Sequence, residues 1–206
     1  GYQRTAHANA LQGVVTEFIS PQRVKELCPI LNIDGPRYPV LGALWQARGG
    51  TGRHDAVAWG YARACSAMGM DIIQNCEVVG FQREGEQIVG IETTRGTIKS
   101  KKIGVVAAGH SSVLAEMAGI RLPLESHPLQ ALVSEPLKPI LHTVVMSNAI
   151  HAYVSQSDKG GLVFGGDLDF YASYASRGNL PMVEHVMEAG MTLMPMIGRA
   201  KVLRSW

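Results

Sequence analysis

The sequence predicts a mixed α/β fold with α+β character, and three observations carry that prediction. A helical apolar stripe over 55–68 runs into short alternating segments separated by Glu84-Gly85-Glu86 and Arg95-Gly96, the pattern of a β-meander. The run Ile103-Gly104-Val105-Val106-Ala107 is unbroken, as suits a strand buried on both faces of a parallel sheet. Beyond residue 128, strand-like segments alternate with prolines and glycines at the spacing of an antiparallel sheet flanked by helices.

Taken in order, residues 3–12 read as a short helix and Val14–Ile19 as a strand. Ser20-Pro21 caps a helix over 22–28, because a hydroxyl accepts a free N–H of the first turn and proline gives up an N–H that has no partner there. Pro29, Pro36 and Pro39 mark a loop, and Tyr38–Gln46 is an expected strand. In the helix over 55–68, Val57, Ala58, Tyr61, Ala62, Cys65 and Met68 form one apolar face, and Gly69 suits the position just past its end. Asp71–Gln74 begins an extended segment. Meander strands follow at 77–82, 87–93 and 97–99. Gly109 ends the apolar strand at 103–107, and Ser111 or Ser112 caps a helix through Met117. Further strands are expected at 129–135, 143–147, 151–156 and 162–166. A helix over 181–193 carries Val183, Val186, Met187 and Met191 on one face, and 202–206 starts another strand.

A chain of 206 residues can bury one sizeable core or two small ones. A net charge of +2 gives no electrostatic case for nucleic acid or an anionic membrane surface. No stretch of about 18 apolar residues occurs, so no membrane span is expected, and no signal peptide either. Cys28, Cys65 and Cys76 lack any CxxC spacing, which points to packed thiols in a reducing, cytoplasmic compartment. His7, His110, His127, His142, His151 and His185 show no His-x-x-x-His pattern, so no metal site is expected. Gly1 and Trp206 read as cuts within a longer protein.

The most informative stretch is Gly49-Gly50-Thr51-Gly52-Arg53-His54-Asp55. It places a bendable backbone, a nucleophilic imidazole and a helix start together, where an anionic or electron-poor ligand can be held. Gly, Asp and His are also common at a plain loop-to-helix junction, with Asp55 as a capping residue. A second candidate is Ala107-Ala108-Gly109. A small-residue turn after a buried parallel strand lets backbone approach a pyrophosphate or flavin, and a meander leading into such a strand recurs in flavoproteins with two dinucleotide-binding domains. Taken alone, Ala-Ala-Gly is only a tight turn. The Gly-x-Gly-x-x-Gly fingerprint is absent, and glycines 160, 161, 165 and 166 are not spaced to replace it.

Longer runs carry a resemblance. Tyr38-Pro39-Val40, Arg53-His54-Asp55-Ala56-Val57-Ala58-Trp59, Asp71-Ile72-Ile73-Gln74-Asn75-Cys76-Glu77-Val78, the stretch from Gly109 to Gly119, Ser126 to Glu135, Tyr153-Val154-Ser155-Gln156 and Arg204-Ser205-Trp206 resemble the β subunits of heterotetrameric sarcosine oxidases. These belong to the D-amino-acid-oxidase-like FAD-dependent oxidoreductases. The resemblance covers essentially the whole chain, as an internal fragment. It implies non-covalent FAD, and FMN joined covalently through the flavin 8α-methyl to His54. It also implies oxidative demethylation of sarcosine to glycine with peroxide, and transfer of the imine to tetrahydrofolate on an α subunit, within an assembly that includes small subunits.

By the same resemblance Val78 meets FAD through its backbone, Ala107, Ala108 and Gly109 lie beside FAD, and Arg53 offsets negative charge on FMN. Tyr153 matches a substrate-facing tyrosine, although sheet tyrosines also serve in packing. Val163 falls where monomeric relatives carry a lysine over the flavin. Gly165-Gly166-Asp167-Leu168-Asp169 departs from the β-subunit pattern. Residues 49–119 would be part of the FAD-binding domain, and 1–48 with 120–206 the substrate and FMN side. A related amine or amino-acid oxidase or dehydrogenase, of dimethylglycine or glycine type, and a non-catalytic assembly subunit are the alternatives. The fragment alone is expected to be inactive and to bind FAD weakly or not at all.

Overall fold

The structure is a computed structural model that describes residues 1–206. Its helices are α1 (Tyr2–Leu11), α2 (Pro21–Leu27), α3 (His54–Ala67), α4 (Ser111–Met117) and α5 (Leu180–Leu193). Its strands are β1 (Glu17–Ile19), β2 (Ala43–Trp45), β3 (Val78–Glu84), β4 (Gln87–Thr93), β5 (Gly96–Lys99), β6 (Leu129–Pro136), β7 (Val145–Ser147), β8 (Ala152–Gln156), β9 (Gly161–Leu168) and β10 (Val202–Ser205). The chain divides into two compact units. The first comprises Gly1–Thr51, Pro128–Phe170 and Ala175–Trp206, and the second Gly52–His127 with Tyr171–Tyr174. No helix is long and apolar enough to cross a membrane.

The first unit is built on an antiparallel sheet in the order β10-β6-β9-β8-β7, with β1 and β2 forming a separate ribbon. Phe164 on β9 stands opposite Leu132 on β6 and Val154 on β8, and all three are buried. Helix α5 covers them with Val186, Ala189, Gly190 and Leu193. Gly190 sets the closeness of that packing, since a Cβ there would stand 3.3 Å from the Phe164 ring and 3.4 Å from Ile197. The helix starts where the Asn179 side-chain oxygen accepts the Met182 N–H at 2.9 Å, while its amide nitrogen donates to the Asp169 carboxylate at 2.8 Å. Ser20 caps α2 by accepting the Arg23 N–H, with Pro21 in the first turn, as the sequence predicts.

The second unit holds the meander β3-β4-β5, with α3 and α4. Irregular register at Gly80 and Arg83 bends β3. The Arg83 guanidinium donates to the Ala118 carbonyl at the end of α4, where a cation meets the negative end of the helix.

Several expectations need correction. The run Ile103–Ala107 forms no strand, and Val106 is 98% exposed. A parallel strand exists only through bonds to its neighbours, and the strands of this unit pair among themselves. The apolar stripe of α3 is real in spacing, yet none of its residues is buried within the chain. Strand 38–46 shrinks to Ala43–Trp45, strand 14–19 to Glu17–Ile19 and strand 143–147 to Val145–Ser147, while 71–74 is not extended into a sheet. Pro39 withholds a ladder donor that a longer β2 would need. Helix α4 is entered through a 3₁₀ turn at Ala108–His110, so neither Ser111 nor Ser112 caps it.

Truncating Phe164 to alanine removes the side chain that β6, β8 and α5 all enclose. Its expected cost is about 3–5 kcal/mol of unfolding free energy, measured by urea denaturation.

Candidate functional site

Helix α3 begins after Arg53, whose carbonyl accepts the Val57 N–H at 3.1 Å and whose side chain makes no capping bond. His54 is therefore the first helical residue. It is exposed and has no hydrogen-bond partner in the protein, so both ring nitrogens are available. Asp55 is neither the cap nor an orienting partner for the imidazole. Its Oδ1 accepts the Ala56 N–H at 2.9 Å, and as a first-turn carboxylate it complements the helix dipole.

The loop before it turns on Gln46. The Gln46 carbonyl accepts the Gly49 N–H at 3.0 Å, and its side-chain oxygen accepts the Arg48 N–H at 2.8 Å. Gly50 and Gly52 do not have left-handed torsions, and a Cβ at either would meet nothing within 4 Å. Neither backbone strain nor packing inside the chain calls for glycine there.

The Ala-Ala-Gly turn is built in the second unit. Ala107 (φ −114°, ψ 18°) is followed by Ala108 in the left-handed region at φ +45°. This right-then-left succession turns consecutive N–H groups toward one side, a concavity suited to an anion such as a pyrophosphate. The Gly109 carbonyl accepts the Ser126 hydroxyl at 2.6 Å, and a Cβ on Gly109 would come within 3.0 Å of that oxygen. The Ser126 carbonyl in turn accepts the Ser173 N–H at 2.8 Å. Tyr174 then stacks on His110 with centroids 4.9 Å apart, and its hydroxyl lies 2.7 Å from the Ser112 hydroxyl. Ser126 and Tyr174 thus brace the turn. No local sequence signal marks them, because they act across 17 and 62 residues. Val78, the first residue of β3, is partly buried opposite Thr93. The residues of this turn fit a dinucleotide such as FAD, through small side chains and free N–H groups rather than charged ones.

Tyr153 belongs to the first unit. It faces Gly165 across β8 and β9, and a Cβ on Gly165 would come within 2.9 Å of the Tyr153 hydroxyl. Tyr153, Ser155, Val163 and Gly165 share the sheet face opposite that of Phe164. Burial pushes the Tyr153 phenol above its ordinary value of 10.0, so it is a neutral donor at physiological pH. The two carboxylates in the stretch that departs from the β-subunit pattern have structural partners. The Asp167 carboxylate lies 3.1 Å from the His185 ring, and Asp169 holds Asn179. The glycines of that stretch serve close backbone approach: Gly166 has φ +155°, and a Cβ on it would run into the His151 carbonyl.

A larger apolar cavity of about 590 Å³ lies in the first unit, walled by Ile19, Val24, Leu31, Trp45 and Val145. Cys28 is among the residues that line it, and burial pushes its thiol pKa up, which disfavours the thiolate. None of the candidate residues lines this cavity.

A family model described as FAD dependent oxidoreductase matches residues 1–206. The chain is 59% identical over 206 residues to sarcosine oxidase subunit beta of Rhodobacter capsulatus, covering 100% of this chain and 50% of that protein. It is 57% identical over 205 residues to the subunit of the same name from Rhizobium meliloti, covering 100% and 49%. The chain therefore spans about half the length of these relatives. Among solved structures, L-proline dehydrogenase from P. horikoshii superimposes with a TM-score of 0.90 at 25% identity, over 100% of this chain and 55% of that one. Whole-chain agreement in sequence and in backbone course leads to one conclusion: the chain belongs to the family of FAD-dependent oxidoreductases.

Proposed function

We propose that this chain is the central part of a flavoenzyme subunit that demethylates sarcosine oxidatively. The observation that carries this reading is the 59% identity, over every residue of the chain, to a sarcosine oxidase β subunit. On this reading Gly52–His127 supplies part of the FAD-binding domain, with Val78, Ala107, Ala108 and Gly109 against the cofactor through their backbone. The remainder forms the substrate side. The parent assembly would include an α subunit that receives the one-carbon unit on tetrahydrofolate, and small subunits, in the cytoplasm.

Bound flavins would supply the redox chemistry that the chain's own side chains lack. His54 is the attachment point for FMN. Its exposed, unpaired imidazole is a competent nucleophile toward an electrophilic methyl group. Arg53 beside it offers positive charge to the anionic reduced ring or to a phosphate. Tyr153, whose neutral phenol is favoured further by burial, can donate a hydrogen bond to the carboxylate of an amino-acid substrate without adding charge. The likeness to L-proline dehydrogenase favours a second reading, oxidation of another secondary amino acid. Turnover of sarcosine, dimethylglycine, glycine and L-proline by the complete assembly separates the two.

In the co-expressed assembly, His54→Ala is expected to lose all flavin that survives acid precipitation; acid-stable flavin in the variant contradicts the assignment. Tyr153→Phe is expected to raise KM for sarcosine roughly 3–10-fold at unchanged flavin content, the loss of one hydrogen bond. A tyrosine that serves packing alone would leave KM where it was. Burial raises the folded-state pKa of Tyr153 above its unfolded value. Its stabilising contribution is therefore intact below pH 10.0 and is lost as pH rises through the folded value. Alkaline unfolding curves of the parent and of Tyr153→Phe should diverge only above that pH.

A further inference from the structure

The apolar cavity of about 590 Å³ lies wholly within the first unit. Its size falls in the range of small-molecule sites, about 300–1,000 Å³. The floor is aliphatic, with Ile19, Val24, Leu31 and Leu193 buried there beside Cys28. Hydrogen bonds outside the space hold its two walls. On one side the loop from Ile33 to Val40 is closed by the Val40 N–H, which donates to the Ile33 carbonyl at 2.9 Å. The Asn32 N–H moors that loop to the end of α5 by donating to the Leu193 carbonyl at 2.8 Å. On the other side the wall residues from Thr143 to Ile150 follow backbone that Gln156 fixes. The Gln156 side-chain oxygen accepts the N–H groups of Ile140 and Leu141 at 2.9 and 3.0 Å. Its amide nitrogen donates to the carbonyls of Lys138 and Gly160 at 2.9 and 2.8 Å.

Among the residues that line the cavity, Arg37 alone carries a charge, and no carboxylate is present. The cations of α2 are engaged elsewhere: Arg23 pairs with Glu26 at 2.7 Å, and Lys25 donates to the Leu31 carbonyl at 2.8 Å. The Arg37 side chain has neither an ion pair nor a hydrogen-bond acceptor. Its guanidinium lies over the Tyr38 ring, 5.3 Å from the centroid, and Tyr38 lines the same cavity. Both residues are exposed, which puts the guanidinium at the mouth and the buried aliphatic side chains at the floor.

We propose that this cavity binds an aliphatic monocarboxylate of medium chain length, with its carboxylate on the Arg37 guanidinium and its alkyl chain on the floor. The planar fork of a guanidinium matches a carboxylate, and its charge strengthens the hydrogen bonds. An alkyl chain gains by leaving water for the apolar floor. A phosphate or a dicarboxylate would bring a second negative charge that no lining residue meets. The site is separate from the residues assigned to flavin and substrate, and it does not depend on the readings of His54 or Tyr153.

The test uses the complete flavin-loaded assembly, with octanoate, decanoate and decanol as probes and calorimetry as the measurement. Decanoate is expected to bind about tenfold tighter than decanol, as suits hydrogen bonds between charged groups. Each methylene added between octanoate and decanoate should tighten binding about fourfold. Arg37→Ala should bring decanoate down to the affinity of decanol and leave decanol unchanged, whereas Arg37→Lys should retain part of the preference. Arg37 is exposed, so neither variant disturbs the core. A decanoate with a photoreactive group at its methyl end should label the segment from Val24 to Leu31, as read by mass spectrometry. Equal affinity for decanoate and decanol overturns the proposal, as does a preference that survives Arg37→Ala. Labelling confined to other segments overturns it too. Absence of binding in the assembly also overturns it, including the case in which another part of the assembly fills the cavity.

Discussion

The side-chain alternation of β9 is the constraint on which the first unit depends. Phe164 points into the core between Leu132 and Val154 and beneath Gly190, while Val163 and Gly165 lie on the other face with Tyr153 and Ser155. One strand therefore fixes the packing of α5 and the candidate substrate-facing surface together. A slip of a single residue would exchange the two faces, placing glycine where the core needs an aromatic ring. The bulges of β6 and the glycines at 160, 161, 165 and 166 hold this register by letting neighbouring backbones approach closely.

The second unit is organised differently. Its regular elements carry little core of their own: α3 buries nothing, and the apolar run at 103–107 is left in water. Its order comes from polar closure. Ser126 reaches the Gly109 carbonyl, Tyr174 stacks on His110, and Arg83 reaches the end of α4. These contacts shape an Ala-Ala-Gly turn whose Ala108 and Gly109 N–H groups have no partner within the chain.

Much of this was legible in the sequence because it is encoded locally. Ser20-Pro21 and the meander turns at Gly85 and Gly96 act within a few residues, and the structure has them where the pattern places them, whereas on α5 Val183, Val186 and Met187 face the core but Met191 is exposed and Ala189, Gly190 and Leu193 complete the buried face. What could not be read has distant causes. Ile103–Ala107 has the composition of a buried strand, but strand formation belongs to its neighbours. Asp55 has the identity of a cap, but Arg53 occupies that position. Ser126, Tyr174 and Gln156 look unremarkable in the sequence and become structural only through partners brought to them by the fold. At the candidate site, the residues show an exposed imidazole beside an open glycine loop, and similarity to sarcosine oxidase β subunits is what suggests a flavin there.

The central claim is that His54 anchors a flavin, and trypsin offers a direct route to it. Cleavage after Arg53 and Arg63 releases the peptide His54–Arg63. In a digest of the intact assembly, mass spectrometry should find that peptide carrying the mass of FMN on His54 and coeluting with visible flavin absorbance. Recovery of the peptide unmodified, with flavin attached elsewhere or to no peptide at all, would contradict the account.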